Sequence, residues 1–184
     1  MAATVIDRIF DIFDQYGSLH YGEDASQLQH ALQTAELARR HGGSDALIAA
    51  SLLHDIGQFM EDAGNAAELR GIDARHEVRG GDFLNAYFGT EVSEPVRLHV
   101  AAKRYLCAVE PGYLDGLSRA SALSLRLQGG PMSEDEVREF ESKPHFADAV
   151  TLRRFDDMGK KLDWHVPELA SYRPLLESLL LPGA

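Results

Sequence analysis

Residues 46–60 read Ala-Leu-Ile-Ala-Ala-Ser-Leu-Leu-His-Asp-Ile-Gly-Gln-Phe-Met, an apolar run that follows Ser44 closely. Serine is a common helix N-cap, because its hydroxyl accepts a hydrogen bond from a free backbone N–H of the first turn. A helix that is apolar on all sides is buried. The sequence therefore predicts a core helix over 46–60, with a polar pair, His54-Asp55, near its end.

Helical periodicity and N-capping serines recur along the rest of the chain. The serines predicted to begin further helices are Ser26, Ser93, Ser118 and Ser133. Helices are also expected over 73–88, 146–158 and 167–181, with a loop over 64–71 and a break at Pro174. Convincing alternating strand segments are absent. The sequence therefore predicts a single all-α domain over 1–184, arranged as a helical bundle.

Composition and charge exclude several classes of protein. The chain has 184 residues, with 18 Lys+Arg against 29 Asp+Glu, a formal net charge of −11 and one Cys. An acidic chain lacks the basic face of a nucleic-acid-binding protein. One Cys excludes an intramolecular disulfide framework and a thiolate zinc cluster. With neither a signal peptide nor a membrane-spanning run, we expect a soluble, cytoplasmic protein without nucleic-acid or membrane partners.

The pair His54-Asp55 is the first candidate for chemistry. A buried carboxylate needs a paired or coordinated positive charge, so the pair is either a hydrogen-bonded part of the core or a metal site. His30 lies among apolar residues in the preceding helix, and Asp156 lies late in the chain. Histidine and carboxylate groups are usual ligands of iron, zinc and manganese, and a helical bundle can gather them around one cation. The order His, His-Asp, Asp resembles that of the HD-domain metalloenzymes.

Two further histidines, His76 and His99, extend this pattern. Each alone is more simply explained as an ordinary surface or core histidine. Together with Asp55 as a bridge they would complete a second metal site, with open positions for substrate and oxygen. The expected ligands are His30, His54, Asp55 and Asp156 for one metal, and Asp55, His76 and His99 for the other.

Over residues 21–160 the chain resembles the PhnZ-type HD-domain oxygenases, which cleave carbon–phosphorus bonds. The segments that carry the resemblance are Tyr-Gly-Glu-Asp (21–24), Gln-Leu-Gln-His (27–30), Leu-Leu-His-Asp-Ile-Gly (52–57), His-Val-Ala-Ala-Lys-Arg-Tyr-Leu (99–106), Leu-Ser-Arg-Ala-Ser (117–121), Gln-Gly-Gly-Pro-Met (128–132) and Leu-Arg-Arg-Phe-Asp-Asp-Met-Gly-Lys (152–160). The His-Asp pair is shared with many phosphohydrolases. The segments 99–106 and 128–132 are much more restrictive.

The resemblance implies a mixed-valent Fe(II)/Fe(III) pair and an organophosphonate substrate. Lys103, Ser121 and Arg153, assisted by Ser124, would hold the phosphonate, for which cationic and hydroxyl donors are suited. Taken without the resemblance, Arg153 would be a surface ion pair with Asp157, and Ser121 an ordinary helical serine.

The resemblance also implies a second group of residues around the substrate. Glu23 would recognise a substrate ammonium, and Tyr21 would cover the iron until substrate displaces it, so Tyr21, Glu23 and Lys103 are the implied catalytic residues. Asp24 would join Tyr21 and Glu23 in an aromatic, anionic pocket suited to a trimethylammonium group. Gln58 stands where some family members carry a titratable histidine.

The function implied is O2-dependent cleavage of the C–P bond of a 1-hydroxy-2-(amino or trimethylammonio)ethylphosphonate, giving phosphate and glycine or glycine betaine. A metal-dependent phosphohydrolase acting on a nucleotide or phosphomonoester is the alternative, since it uses the same His, His-Asp, Asp set. A catalytically silent HD-domain regulatory protein is a further alternative, which the intact ligand set disfavours.

Overall fold

A computed structural model of the protein describes residues 4–20, 23–60 and 73–184. Every regular element in these ranges is helical, which confirms the all-α prediction for this part of the chain. The α-helices are α1 (Val5–Tyr16), α2 (Gln27–Arg40), α3 (Asp45–Leu53), α4 (Ile56–Phe59), α5 (His76–Phe88), α6 (Thr90–Val109), α7 (Arg119–Leu127), α8 (Glu134–Glu141), α9 (Phe146–Met158) and α10 (Arg173–Ser178). Short 3-10 turns cover Leu114–Gly116 and Leu169–Tyr172. The loop predicted over 64–71 lies outside the described residues.

Helix α3 is the centre of the bundle. All of its side chains from Ala46 to Leu53 are buried, as expected for a helix that is apolar on every side. Helices α2, α6 and α9 pack around it, and α10 also contacts it. The same hydrophobic core takes in Phe13 from α1 and Leu176 from α10, near the two ends of the chain. The bundle therefore presents polar groups at the ends of buried helices toward one another.

Serine side chains cap four helices at the residues that the sequence predicts. The Ser26 hydroxyl accepts a hydrogen bond from the Gln29 N–H and the Gln29 side chain accepts one from the Ser26 N–H, which completes the capping box of α2. Ser44 and Ser118 cap α3 and α7 in the same way through their hydroxyls, and Ser133 forms a second capping box at α8. These hydrogen bonds define the N-terminal ends of α2, α3, α7 and α8, of which α2 carries His30 and α3 leads to the His54-Asp55 pair.

The prediction that α6 begins at Ser93 is wrong, because the helix begins at Thr90. Gly89, with φ 75°, takes a left-handed conformation that turns α5 directly into α6. Ser93 already lies within the helix, and its hydroxyl donates to Asn85 Oδ1 on α5 at 3.1 Å. Pro95 lies inside the helix rather than in its first turn. This early start joins α5 and α6, the helices of His76 and His99, as antiparallel neighbours.

Two further boundaries differ from the sequence prediction. Helix α5 begins at His76 rather than near Asp73. The break expected at Pro174 lies just before that residue, between the 3-10 turn Leu169–Tyr172 and α10. Pro174 therefore lies in the first turn of α10, where a missing N–H costs no hydrogen bond. Among the described helices, none combines the length and the hydropathy needed to cross a membrane.

Candidate di-metal site

The His-Asp pair lies at a break in the core helix. The sequence predicts one helix over 46–60, but α3 ends at Leu53 and α4 begins at Ile56. His54 Nδ1 donates to Ser51 O at 2.9 Å, and this is the carbonyl that the Asp55 N–H would use in a continuous helix. The backbone turns at Asp55, with φ −99° and ψ 6°. The break directs both side chains of the pair into the bundle.

Four groups from three regions of the chain meet at the first cluster. The Nε2 atoms of His30 and His54 lie 3.1 Å apart. Asp55 Oδ2 lies 3.4 Å from His54 Nε2 and 3.8 Å from His30 Nε2. Asp156 Oδ1, from α9, lies 3.3 Å from His30 Nε2 and 3.9 Å from His54 Nε2. The predicted first set of ligands is therefore brought together.

The second cluster lies on the other side of the same carboxylate. His76 Nε2 from α5 and His99 Nε2 from α6 are 3.2 Å apart. Asp55 Oδ1 lies 3.3 Å from His76 Nε2 and 3.7 Å from His99 Nε2. Because one oxygen of Asp55 faces each histidine pair, its carboxylate has the arrangement of a bridging ligand. Within the described residues, two groups of His and carboxylate side chains have ligand atoms close enough together to hold a metal ion: His30, His54 and Asp55, and Asp55, His76 and His99.

In three of the histidine rings, a hydrogen bond from Nδ1 to a backbone carbonyl leaves Nε2 as the nitrogen that is available to a metal ion. His30 Nδ1 donates to Gly159 O at 2.8 Å, and His99 Nδ1 donates to Val96 O at 2.7 Å, as His54 Nδ1 does to Ser51 O. A carbonyl only accepts hydrogen bonds, so the proton of each neutral ring is on Nδ1. The lone pair of each Nε2 then points into its cluster. This is the tautomer that a histidine needs as a metal ligand.

Burial and the charges of the two carboxylates move the pKa values of His54 and His99 in opposite directions. Burial opposes protonation of His54, but the negative charges of Asp55 and Asp156 outweigh it and raise its pKa to about 9. At His99, burial and the neighbouring rings of His76 and His54 lower the pKa to about 3, so this ring stays neutral. Despite their burial, the pKa of both carboxylates lies well below the usual range. The clusters therefore combine two anionic carboxylates with the neutral ring of His99 and the protonated ring of His54, whose proton a metal ion would replace on binding.

This donor set fits metal ions. With imidazole nitrogens at about 2.1 Å from an ion, neighbouring ligands of the same ion lie about 3.0–3.4 Å apart. The paired Nε2 atoms, at 3.1 Å and 3.2 Å, have this spacing. When both rings of a pair are neutral, two lone pairs face each other at this distance and repel, and a cation between them removes the repulsion. Histidine nitrogen with carboxylate oxygen suits iron, zinc or manganese.

Cationic side chains form the wall opposite the clusters. Lys103, four residues after His99 on α6, is buried, and its Nζ donates to Ser124 Oγ at 2.7 Å. Arg153 NH1 donates to Asp156 Oδ2 at 2.7 Å, which leaves Oδ1 of Asp156 facing the first cluster. Arg153 NH2 also lies 3.4 Å from Ser121 Oγ. Lys103, Arg153 and the two serines therefore lie together as the resemblance implies.

Residues outside the cavity also bind the guanidinium group of Arg153. It pairs with Asp157, and its Nε donates to the Tyr113 hydroxyl at 3.2 Å. The ion pair with Asp157 exists, but it is not a surface contact, because Arg153 is 3% exposed. Burial opposes its charge, and Asp156 and Asp157 more than compensate, so the pKa of Arg153 rises above its ordinary value. Arg153 is therefore charged and fixed in orientation.

Glu23 has a partner that the sequence analysis did not identify. Lys160 Nζ donates to Glu23 Oε1 at 2.8 Å, and the Ser118 hydroxyl donates to the same oxygen at 2.7 Å. Lys160 Nζ also lies 3.3 Å from Ser121 Oγ. Lys160 is the last residue of the segment 152–160, so the resemblance contained a signal for it, whereas its pairing with Glu23 has no signal in the sequence.

The clusters and the cationic wall enclose a cavity of about 70 Å³. Gln58 lines it from α4, and Gln27, which the sequence analysis also missed, lines it from α2. Asp24 does not line this cavity, and its side chain is exposed, so we do not assign it to the substrate pocket. Tyr21 lies outside the described residues. The volume suits a small molecule with its metal ions and is below the size of pockets for drug-sized ligands.

Comparison with known proteins identifies the family. The HD domain model matches residues 28–137. The chain belongs to the HD-domain family. Within this HD-domain protein, the matched residues include five of the six predicted metal ligands, from His30 near the start of the match to His99 within α6, and exclude Asp156.

Two curated relatives of this HD-domain protein match over nearly its whole length. A hydroxymethylphosphonate dioxygenase of Gimesia maris is 43% identical over 176 residues, covering 95% of this chain and 88% of the relative. A [1-hydroxy-2-(trimethylamino)ethyl]phosphonate dioxygenase (glycine-betaine-forming) of Leisingera caerulea is 38% identical over 178 residues, covering 96% of this chain and 91% of the relative. Both relatives are named as dioxygenases of phosphonates that carry a hydroxyl group.

Proposed function

We propose that this protein is a di-iron oxygenase that uses O2 to cleave the C–P bond of a 1-hydroxyphosphonate. The observation that carries the proposal is the position of Asp55, one oxygen of which faces each histidine pair, beside a wall containing Lys103 and Arg153. The names of both relatives support an oxygenase of phosphonate catabolism. The candidate substrates include hydroxymethylphosphonate and the 2-amino and 2-trimethylammonio derivatives of 1-hydroxyethylphosphonate.

The proposal assigns the six ligands to two iron ions. One ion would be held by His30, His54, Asp55 and Asp156, and the other by Asp55, His76 and His99. An Fe(II)/Fe(III) pair would supply the redox chemistry with O2 and a Lewis acid for the substrate hydroxyl. The second ion would have fewer protein ligands than the first, which would leave positions for substrate and O2.

The residues of the wall would bind and orient the phosphonate. A phosphonate dianion requires cationic donors in a site from which water is largely excluded, and the Lys103 ammonium and Arg153 guanidinium are both buried. The Ser121 hydroxyl, between Arg153 NH2 and Lys160 Nζ, accepts from both cations, so its own proton is available to a phosphonate oxygen. Holding the substrate at fixed oxygens places its hydroxyl-bearing carbon toward the metal clusters.

The overall reaction balances with one O2. The carbon bearing the hydroxyl is oxidised to a carboxylate, the C–P bond breaks, and phosphorus leaves as phosphate, while O2 is reduced. One oxygen atom from O2 completes the carboxylate and the other completes the phosphate, and one proton is released. No external reductant is needed, because the substrate itself supplies the electrons.

We also propose that residues 1–184 form a single HD domain. Helices α1 and α10 lie outside the matched range 28–137. Phe13 and Leu176 nevertheless belong to the same hydrophobic core as α3. The residues outside the match therefore complete the core of the domain.

The test of the proposed function is aerobic turnover by iron-loaded protein. We expect phosphate release from at least one of the three 1-hydroxyphosphonates, with O2 consumed in equal amount, and none under argon. Electron paramagnetic resonance should detect an Fe(II)/Fe(III) pair through its odd number of electrons. Phosphate release without O2, from these compounds or from phosphomonoesters, would instead establish the phosphohydrolase. The cavity, about 70 Å³, already favours a substrate smaller than a nucleotide.

Removal of the charge at Lys103 tests the binding wall. For Lys103→Met we expect kcat/KM to fall by roughly 10–100-fold, mostly through KM, because a charge-assisted hydrogen bond to the phosphonate is lost. The control is Lys143→Met, which removes the same charge from an exposed side chain paired with Glu139. Equal kinetics in the Lys103 and Lys143 variants would contradict the assignment of Lys103 to the phosphonate.

A further inference from the structure

Helix α7 forms part of the cavity wall with little apolar packing behind it. Ser121 and Ser124 of this helix line the cavity. Leu125 is the one apolar side chain of α7 that is buried. The described residues form two hydrophobic clusters, one around α3 and one that includes Phe140, and neither contains a residue of α7. Because most helices in proteins are stabilised by packing of an apolar face, the position of α7 depends on polar contacts to an unusual degree.

Inside the cavity, the polar contacts of α7 are with groups that the substrate would also use. Lys103 Nζ donates to Ser124 Oγ at 2.7 Å. Ser121 Oγ accepts from Lys160 Nζ at 3.3 Å and lies 3.4 Å from Arg153 NH2. A donor hydrogen that is given to a phosphonate oxygen is no longer available to a serine. These contacts therefore change when substrate binds, and they cannot by themselves keep the wall in one position.

Arg104 provides a contact to the end of α7 from outside the cavity. It follows Lys103 in α6, and consecutive residues of a helix point roughly 100° apart, so the two side chains leave α6 in different directions. Arg104 Nε donates to Gly130 O, in the turn after α7, at 2.8 Å. Its NH2 donates to Glu136 Oε1 of α8 at 2.8 Å, and its backbone carbonyl accepts from the Met132 N–H at 3.2 Å. One residue of α6 thus binds this turn through both its side chain and its backbone.

The turn itself has a conformation that glycine adopts most readily. Gly129 and Gly130 have φ values of 99° and 74°, where a side chain would be strained. The Gly130 N–H donates to Leu125 O at 2.9 Å, which closes the last turn of α7. The turn and Arg104 belong to the segments 128–132 and 99–106, the two more restrictive segments of the resemblance. Their restrictive residues therefore meet in a contact that the proposed chemistry does not use.

We propose that Arg104 is a positioning residue, which holds α7 through the turn 129–130 so that Ser121 and Ser124 stay opposite the cations of α6 and α9. This inference rests on the proposed function, because it concerns the wall that would bind the phosphonate. Lys103 contacts α7 inside the cavity, and Arg104 holds the end of the same helix from outside. The second contact does not depend on whether the cavity is occupied.

Amide hydrogen exchange of the iron-loaded protein tests whether Arg104 holds α7. Arg104→Met keeps most of the side-chain length and removes every donor of the side chain. We expect exchange of the α7 amides to become at least about tenfold faster in this variant, with the rates of α3 unchanged. The control is Arg173→Met, which removes an ion pair of 3.0 Å between α10 and Asp7 of α1. In this control, exchange should become faster in α1 and α10 and stay unchanged in α7.

Steady-state kinetics test whether the position of α7 matters to the substrate. For each of the three candidate phosphonates that is turned over, we expect Arg104→Met to raise KM by roughly tenfold and to change kcat by less than about threefold. A merely structural residue would lower the fraction of active protein, and with it kcat, and would leave KM unchanged. The number of iron ions bound per chain should equal that of the unmodified protein.

Two further variants test the same contact if Arg104→Met does not fold. Arg104→Lys keeps the charge but can serve only one of the two acceptors well, so its KM should lie between those of Arg104→Met and the unmodified protein. Gly129→Ala strains the turn, where φ is 99°. Its matched control is Gly42→Ala, where φ is 73° and a Cβ meets no atom within 4 Å. We expect KM to rise in Gly129→Ala and not in Gly42→Ala.

Unchanged exchange of α7 in both Arg104 variants would overturn the inference, and so would equally faster exchange in all helices. Faster exchange of α7 with an unchanged KM would also overturn it, because the position of the helix would then not matter to the substrate. If no phosphonate is turned over, the proposed function fails, and the exchange rates of α7 still decide whether Arg104 holds this helix.

Discussion

Protein carrying His76→Ala is expected to lose oxygen-dependent phosphate release, with kcat/KM lowered by more than roughly 100-fold. Changes in residues that merely orient metal ligands already cost about 10–100-fold, and the loss of a ligand should exceed this. His76 is one of the two imidazoles that face Asp55 Oδ1, so its removal would leave the proposed second ion with His99 and one carboxylate oxygen. The number of iron ions bound per chain, measured by elemental analysis, should fall from two toward one.

The fold should survive this substitution, because the first cluster and the hydrophobic core do not include the His76 ring. Far-UV circular dichroism checks this, and His76→Gln, which retains more of the side-chain volume, is a second variant in case alanine leaves a damaging cavity. The control is His165→Ala, at an exposed histidine away from both clusters. Full activity with two bound ions in both His76 variants would rule out the two-metal assignment.

Among glycine-to-alanine substitutions near the site, Gly57→Ala is expected to lower the free energy of unfolding most. A Cβ at Gly57 would lie 2.0 Å from His76 O and 2.7 Å from Gly80 N, both of which are backbone atoms. Backbone atoms of α5 can give way only if the helix moves, so we expect a loss of about 3 kcal/mol in the free energy of unfolding. Any such movement also displaces His76 from Asp55. Thermal unfolding and iron stoichiometry together measure the two effects.

Gly116→Ala is the matched control for this substitution. A Cβ at Gly116 meets no atom within 4 Å, and the residue is not in the left-handed region. Its stability should therefore stay within about 0.5 kcal/mol of the unmodified protein. If Gly57→Ala were as stable and as active as Gly116→Ala, the close approach of α4 and α5 would not be required to position His76.

Local patterns in the sequence were sufficient for the helices and for the ligand types. Capping by Ser26 and Ser44 depends on hydrogen bonds to residues three positions away, so a short window contains the whole signal. The start of α6 was misassigned because it depends on Gly89 and on a hydrogen bond from Ser93 to Asn85 of another helix. The break after Leu53 was not predicted. It depends on a hydrogen bond from the His54 ring to a carbonyl of its own helix, and an apolar run in the sequence contains no signal for that hydrogen bond.

In the candidate site, too, some features could be predicted from the sequence and others could not. The residue types that the clusters use could be named in advance, since His and carboxylate ligands are set by metal chemistry. The partner of Glu23 could not be named, because Lys160 lies 137 positions away and is brought to it by the packing of α9 on α2. Likewise, the local sequence of Arg153 could not distinguish a surface ion pair from the phosphonate-binding residue that the resemblance implies; the structure shows that Arg153 is buried and lines the cavity.

By itself the sequence determined that this chain is a helical bundle that carries, on separate helices, histidines and carboxylates of the types that bind metal ions. It could do so because helix signals are local and ligand chemistry belongs to residue types. Tertiary structure alone decided that Asp55 faces both histidine pairs and that Lys160 compensates Glu23. Both properties depend on the distances between polar and charged groups of residues that are remote in the chain. These distances exist only once the core around α3 has brought the helices together.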